Sequence, residues 1–339
     1  MTQMHVTRRT RLSTVALILM VPILIALITA PWWAGRSELR LMGEIALYMS
    51  LATLWNLLAG YAGLVSVGQQ AYVGLGGYLF FALTMLAGID PYAALPLAML
   101  AGAVVAAPVA VLIFRLRGAY FAIGTWVMAE VFRLTFAQVS SLGGGSGTSL
   151  ATDIVRSMAD GRSAREAMAW WLALGAAVLV IGAVVLFLRS RQGVALTAIR
   201  DNELAARSLG IDIWRTKFIV YVVVGALTTL IGCLIFLQKL RISPDAAFSV
   251  NDWTAFVIFI VVIGGIGTIE GPIIGTLVFF ALRETMADLG TLYLIALGLV
   301  AIVVMLKAPR GLWGFFRDRY NLEIFPLSRR VNGLTSKGA

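Results

Sequence analysis

About ten apolar runs are strung along this chain, with the charged residues gathered between them. They cover 15–33, 41–58, 70–87, 92–114, 119–139, 168–188, 218–237, 254–266, 272–286 and 292–306. A helix needs roughly 20 mostly apolar residues to cross a bilayer. Hydrocarbon accepts only backbone whose polar groups are satisfied internally, as in a helix or a closed barrel. The pattern therefore predicts an all-α polytopic membrane protein. Composition agrees: 60% of the 339 residues are hydrophobic and 13% charged, against about 25% charged in a soluble domain. A soluble enzyme, a disulfide scaffold and a disordered chain are all excluded on this ground. The first run follows Arg8, Arg9 and Arg11, as a signal peptide would. It is long for that role and lacks a small-x-small cleavage site, so it reads as a span.

Charge sets the orientation. The net charge is +10, but long apolar runs separate the basic residues, so no nucleic-acid face is expected. With the N-terminus inside, the inside segments 1–14, 115–118, 189–217 and 307–339 hold 18 basic residues and the outside segments hold seven. This bias fits the positive-inside rule and an even number of spans, eight or ten, with both termini cytoplasmic. The chain divides into a cytoplasmic tail (1–14), a transmembrane domain (15–306) and a basic cytoplasmic tail (307–339). Within the domain lie an external loop at 140–167 and a cytoplasmic loop at 189–217. Trp313, Phe315 and Phe316 in the last segment suit an interfacial anchor. A single cysteine, Cys233, precludes an internal disulfide, and a single histidine, His5, leaves a histidine-based metal or catalytic site without its residues. No catalytic residues and no metal ligands are expected.

Two runs are broken by glycine. The first break holds Gly60, Gly63, Ser66, Gly68, Gln69 and Gln70 and continues to Gly74, Gly76 and Gly77; the second holds Gly264, Gly265, Gly267, Glu270, Gly271, Pro272 and Gly275. Broken helices at membrane depth mark transport pathways, whereas small residues also allow close helix packing; both readings apply. Asn56, Ser66, Gln69, Gln70, Glu130 and Arg133 are the candidate pathway residues. Glu130 and Arg133 are spaced i,i+3 on one helix face and are expected to pair, because a lone charge at membrane depth is costly. They suit either a pathway element or a structural ion pair. The glycine-rich 143–147 loop reads as a flexible linker. It is not a phosphate-binding loop, because no lysine in the chain follows a glycine.

The inside loop at 189–217 carries Leu196, Ile199, Ala206 and Leu209 at roughly helical spacing, a Glu203–Arg207 i,i+4 pair, and Gly210 as a stop. A short amphipathic helix between two spans is expected there. It is either an ordinary interfacial helix or a knob for a cytoplasmic partner. Glu203, Ala205, Ala206 and Gly210 resemble the E-x-A-A-x-x-x-G core of the coupling motif in permeases of bacterial ABC importers.

Further segments extend the resemblance. Asn56, Leu57, Gly60, Tyr61, Gly63, Ser66, Gly68, Ala71, Gly74, Gly76 and Tyr78 fall in the order of the N-L-x-x-G-Y-x-G-Q-x-S-x-G-x-x-A-x-F-x-G-x-G-A-Y stretch of LivM-type permeases. These serve the branched-chain amino acid, amide and urea class of importers. Gly118, Tyr120, Phe121, Ala122, Thr125, Glu130 and Arg133 resemble a second family stretch. Ser243-Pro244 with Gly264, Gly265, Gly267 and Gly271 resembles a third, and Pro309-Arg310-Gly311-Leu312 a fourth. Leu64, Gln69, Val73 and Gly77 depart from the family pattern.

The resemblance implies a non-enzymatic transport subunit in the bacterial cytoplasmic (inner) membrane, surrounded by lipid. Its partners would be a second homologous permease, two cytoplasmic ABC ATPases docked on the coupling segment (Leu196, Ile199, Glu203, Ala205, Ala206, Leu209 and Gly210), and an extracytoplasmic substrate-binding protein. The chain itself would carry no cofactor; ATP and Mg would sit on the ATPases. Branched-chain amino acids come first as cargo, with urea, short amides or aromatic acids as alternatives. An ion-coupled secondary transporter using Glu130 is the rival reading. An intramembrane enzyme lacks any convincing catalytic set.

Overall fold

The computed structural model describes residues 5–7, 11–286, 292–308, 310–320 and 330–332. The remainder of the two expected tails, and Pro309, lie outside these. In chain order the elements are strand β1 (His5–Thr7) and helices α1 (Arg11–Ile28), α2 (Ala30–Trp33), α3 (Arg36–Asn56), α4 (Gln69–Phe81), α5 (Pro91–Ile113) and α6 (Ala119–Ala137). Strand β2 (Thr148–Ser149) and helices α7 (Thr152–Met158), α8 (Arg162–Arg189), α9 (Arg191–Asp201), α10 (Glu203–Ser208) and α11 (Ile213–Lys239) follow. Strand β3 (Arg241–Ile242), helices α12 (Pro244–Ala247), α13 (Phe256–Gly264), α14 (Glu270–Thr285), α15 (Leu292–Lys307) and α16 (Gly311–Tyr320), and strand β4 (Arg330–Asn332) complete the order. Among the described residues the strands form two short antiparallel pairs, β1 with β4 and β2 with β3.

Every expected apolar run is helical. Among the described residues, six stretches are long and apolar enough to cross a membrane: Arg36–Tyr61, Pro91–Ile113, Arg162–Arg189, Ile213–Lys239, Pro244–Gly264 and Leu294–Arg317. The protein is therefore a multi-pass all-α membrane protein. Two boundaries differ from the sequence expectation. The first run divides at Thr29 into α1 and α2. The 254–266 run starts earlier, at α12, and passes through a π turn at Asn251–Ala255.

The core forms around α4 and α11. A Cβ on Gly76 would overlap the Thr229 carbonyl, and one on Gly232 would overlap that of Val73. The two helices thus touch backbone to backbone, the contact that small residues permit between membrane helices. The Cys233 thiol donates to the Gly76 carbonyl across the same seam, at 3.2 Å. Gly102 of α5 meets the Thr229 side chain from the other side of α11. Asp90 caps α5, accepting from the amides of Tyr92 (2.9 Å) and Ala93 (3.3 Å), and Pro91 occupies the first turn. Large apolar side chains such as Leu100, Val104 and Leu186 lie on the exterior of the bundle, where a bilayer would receive them.

The 143–147 segment is an ordered turn and not the flexible linker its composition suggests. Gly143 and Gly147 have φ of +85° and +76°, a region glycine enters without steric cost. The Gly147 amide bonds back to the Gly143 carbonyl at 3.2 Å, and the adjoining β2 pairs with β3. Trp313 is also corrected: it is buried, while Phe315 and Phe316 of the same helix are exposed.

Candidate functional site

The first glycine-rich break is a true interruption. Helix α3 runs into a π turn at Leu57–Tyr61, and residues 63–68 leave the helix before α4 begins. Gly63 makes the exit at φ +68°. Polar groups of this irregular stretch find protein partners. The Leu64 amide bonds to the Leu58 carbonyl at 2.9 Å. Trp55 donates its indole N–H to the Ser66 carbonyl at 2.8 Å. Thr125 of α6 accepts from the Val67 amide at 2.9 Å, and Ser66 Oγ accepts from the Gly68 amide at 3.2 Å. Gln70 donates to the Val67 carbonyl at 3.1 Å, and its carbonyl accepts from Thr254. This is the internal satisfaction that a bilayer demands of non-helical backbone.

The second break turns between α13 and α14. Thr268 closes it, donating to the Gly265 carbonyl at 2.7 Å and accepting from the Gly271 amide at 3.0 Å. Gly267, at φ +76°, presents its amide to Asn56 Oδ1 at 2.8 Å. Asn56 returns a bond from Nδ2 to the Thr268 carbonyl at 2.7 Å. One buried asparagine therefore joins the two breaks through both ends of its amide. The approach is so close that a Cβ on Gly60 would overlap the Gly267 backbone.

The inside loop meets this junction. Arg200 of α9 donates from Nη1 to the Gly60 carbonyl at 2.7 Å, and from Nη2 and Nε to Asp201 at 2.8 and 3.0 Å. Leu196 and Ile199 are buried, so α9 packs into the bundle. The expected single helix is two helices. Asn202 has extended backbone (φ −160°) and caps α10, accepting from the amides of Leu204 and Ala205 at 3.0 Å each. The break rotates α10 relative to α9. Ala206 stays buried, but Leu209 does not share its face: it is 78% exposed, and Leu204 is 80% exposed. Glu203 pairs with Lys217 of α11 and not with Arg207. Ala205 is exposed beside them, and Gly210, at φ +80°, ends the hairpin as its composition suggests.

The Glu130–Arg133 pair lies apart from this junction. Glu130 and Arg133 pair, with Nε–Oε1 at 2.9 Å and Nη2–Oε1 at 2.6 Å, and Arg133 also reaches Asp245 at 2.8 Å. The pair is not buried in the chain: the side chains are 46% and 30% exposed, and that of Asp245 is 83% exposed. Gln69 donates to the Leu51 carbonyl at 2.9 Å, while its Oε1 is buried without a hydrogen bond among the described residues. Thr228 Oγ1 is likewise unpartnered, and both residues line a cavity of about 10 Å³ with Trp55, Ser66, Tyr72 and Tyr221. That is about the space of one water. Glu270 is buried at the start of α14. Among the described residues, no group of three or more histidine, cysteine or acidic side chains could hold a metal.

Arg200, Thr268, Thr125 and Thr254 complete the junction and escaped sequence reasoning. Arg200 had one available signal: an arginine one turn beyond Leu196 on a helix whose apolar face is buried must direct its guanidinium toward some acceptor.

Apolar helices of membrane-spanning length, interrupted at glycines that are clamped to the α9–α10 hairpin, are the architecture of a multi-pass membrane protein. The family described as branched-chain amino acid transport system/permease component matches residues 39–308. The chain belongs to that family. It is 26% identical to the high-affinity branched-chain amino acid transport system permease protein LivM of Salmonella typhimurium, covering 89% of this chain and 76% of that one. The LivM protein of Escherichia coli is also 26% identical, over 90% of this chain and 76% of its own length. A probable branched-chain amino acid transport permease protein LivH of Methanocaldococcus jannaschii is 25% identical over 40% of this chain and 45% of its own. No solved structure matches the chain.

Proposed function

We propose that this chain is one permease subunit of an ATP-driven ABC importer in the bacterial inner membrane, carrying branched-chain amino acids. It works with a second homologous permease and two cytoplasmic ATPases, and an extracytoplasmic binding protein delivers the cargo. ATP and Mg belong to the ATPases. The observation that carries the mechanism is the Arg200–Gly60 bond. It ties the α9–α10 hairpin to the point where α3 breaks, and Asn56 ties that point to the second break. A motor that grips the exposed Leu204 and Leu209 of the hairpin would therefore move both breaks together.

The outward face of α6 supports the second permease. Ile123, Val127, Glu130, Val131 and Leu134 share that exposed side. A charged cluster at membrane depth calls for protein or water, not lipid, around it. We place the translocation path there, with Glu130 and Arg133 beside it; Asn56, Ser66, Gln69 and Gln70 act behind it by shaping the break. The rival ion-coupled mechanism needs a carboxylate free to take an ion, whereas Glu130 is already engaged by Arg133.

A mild-detergent pull-down of the tagged chain with mass spectrometry tests the proposal. Recovery of a second permease and P-loop ATPases is expected. A folded chain that purifies alone and transports solute under an ion gradient would overturn it.

A further inference from the structure

A cavity of about 530 Å³ lies between α3, α8 and α11, where α8 begins and α11 ends. Helix α8 spans 28 residues, about 40 Å at 1.5 Å per residue, and its far end leads into α9. The cavity therefore sits at the end of the bundle opposite the α9–α10 hairpin. Exposed indoles gather at this end: Trp32 and Trp33 of α2, just before α3, and Trp171 of α8. Trp32 and Trp171 have ring centroids 5.9 Å apart, and Trp171 donates to the Ile28 carbonyl at 3.0 Å. Tryptophan collects at the boundary between bilayer and water. Arg162 and Arg165 stand about two turns nearer the start of α8 than Trp171, so the cavity opens at headgroup depth.

The wall is basic. Arg40, Arg162, Arg165 and Lys239 line it with two acids, Glu44 and Glu166. Both acids are engaged. Arg283 holds Glu44 in a two-bond pair at 2.8 and 3.0 Å. Arg162, Arg40 and Arg36 surround Glu166 at 3.4, 3.6 and 4.0 Å. One carboxylate does not neutralise three guanidinium groups, and these three are mostly exposed, with N–H groups left to donate. Arg165 and Lys239 have no carboxylate partner among the described residues. Lys239 Nζ stands 4.6 Å from the Trp253 ring centroid, with Asp252 nearby but beyond pairing distance. Five of the seven basic residues that the charge rule places outside gather here: Arg36, Arg40, Arg162, Arg165 and Lys239. Leu39, Leu47, Trp170 and Ile235 continue the wall as an apolar surface.

We propose that this cavity binds the headgroup of an anionic phospholipid, with the phosphodiester at Arg165 and Lys239 and an acyl chain against Leu47, Trp170 and Ile235. Like charges held this close repel, and an anion among them relieves the repulsion. A phosphodiester offers two charged oxygens that suit guanidinium donors. A lipid whose head carries its own cation, such as phosphatidylcholine, would set that cation among the arginines. A soluble anion would leave the apolar wall bare. Phosphatidylglycerol meets both demands, being net negative and carrying chains. Bound there, it ties the starts of α3 and α8 to the end of α11.

The test titrates the full chain in detergent with phosphatidylglycerol or phosphatidylcholine of matched chains and counts retained lipid by native mass spectrometry. The wild-type chain should hold one phosphatidylglycerol about tenfold more tightly than phosphatidylcholine. Arg165→Gln/Lys239→Gln should bring the two lipids within about twofold of each other. Arg156→Gln/Arg241→Gln removes two basic residues that do not line the cavity and should leave the preference intact. Equal retention of both lipids by the wild type, or the same loss in both variants, would overturn the assignment. Glycerophosphoglycerol, the same headgroup without chains, separates the two sources of phosphate. If it displaces the lipid at equal concentration, the site takes a soluble phosphate ester and the lipid assignment falls. The wild-type comparison decides the matter even if a variant fails to fold, and none of these readouts depends on transport.

Discussion

Replacing Arg200 with alanine should loosen the hairpin from the broken helix without unfolding the bundle. The substitution removes one charge-assisted bond to the Gly60 carbonyl and two to Asp201. A hydrogen bond to a charged group contributes about 1.5–3 kcal/mol. The Arg200 side chain is 37% exposed, so the lower end applies, about 1.5 kcal/mol. The Asp201 bonds are exposed and contribute little. A loss of about 1.5 kcal/mol raises the released population about tenfold. Amide hydrogen exchange of the isolated chain reads this directly. The Leu64 and Gly267 amides, bonded to Leu58 and Asn56, should lose about tenfold in protection. In the complex, cargo moved per ATP hydrolysed should fall, with basal ATPase retained. Arg200→Lys should recover only part, because a lysine cannot fork between the Gly60 carbonyl and Asp201. Unchanged protection together with an unchanged transport-to-ATPase ratio in Arg200→Ala would refute the linkage.

Three other expectations are independent of it. Gly76→Ala should cost about 1–3 kcal/mol by overpacking, because its Cβ meets the Thr229 backbone, whereas Gly175→Ala, with nothing within 4 Å, should cost nothing; thermal unfolding in detergent compares them, and equal midpoints would count against the backbone contact. Glu130→Ala, Arg133→Ala and the double change should differ by no more than about 1 kcal/mol in coupling, as for exposed ion pairs; a double-mutant cycle giving a larger coupling would show that the pair is desolvated by a partner. Glu203→Arg should repel Lys217 and reduce ATPase recovery in a pull-down, and Glu203→Arg/Lys217→Glu should restore it; failure of the exchange to restore recovery would point to Glu203 contacting the ATPase directly.

The helices were legible because a bilayer-sized apolar run has few alternatives to a helix. The glycine-rich breaks were legible as breaks, and the Glu130–Arg133 pair as a pair, since i,i+3 spacing is local. What those glycines do was not legible. Gly76 and Gly232 serve helix contact, whereas Gly63 and Gly267 serve the turns, and composition is identical for both uses. The Glu203 partner was misread for a related reason. The i,i+4 rule assumes an unbroken helix carrying both residues with no stronger partner nearby, and Lys217 approaches from a different helix.

Local physics written in the chain determined the class of protein, the positions of the helices and the family. Burial of apolar side chains, the need to satisfy backbone in lipid, and the glycine signals all act over a few residues. Tertiary structure alone decided that Asn56, Gly60, Gly267 and Arg200 form one junction. Asn56 and Gly267 are separated by 211 positions and Gly60 and Arg200 by 140, and no periodicity reaches so far. The same holds for the cavity between Glu166 and Lys239. Glu166 and Lys239 line one space only because α8 and α11 run in opposite directions beside α3, which brings the start of one helix next to the end of the other.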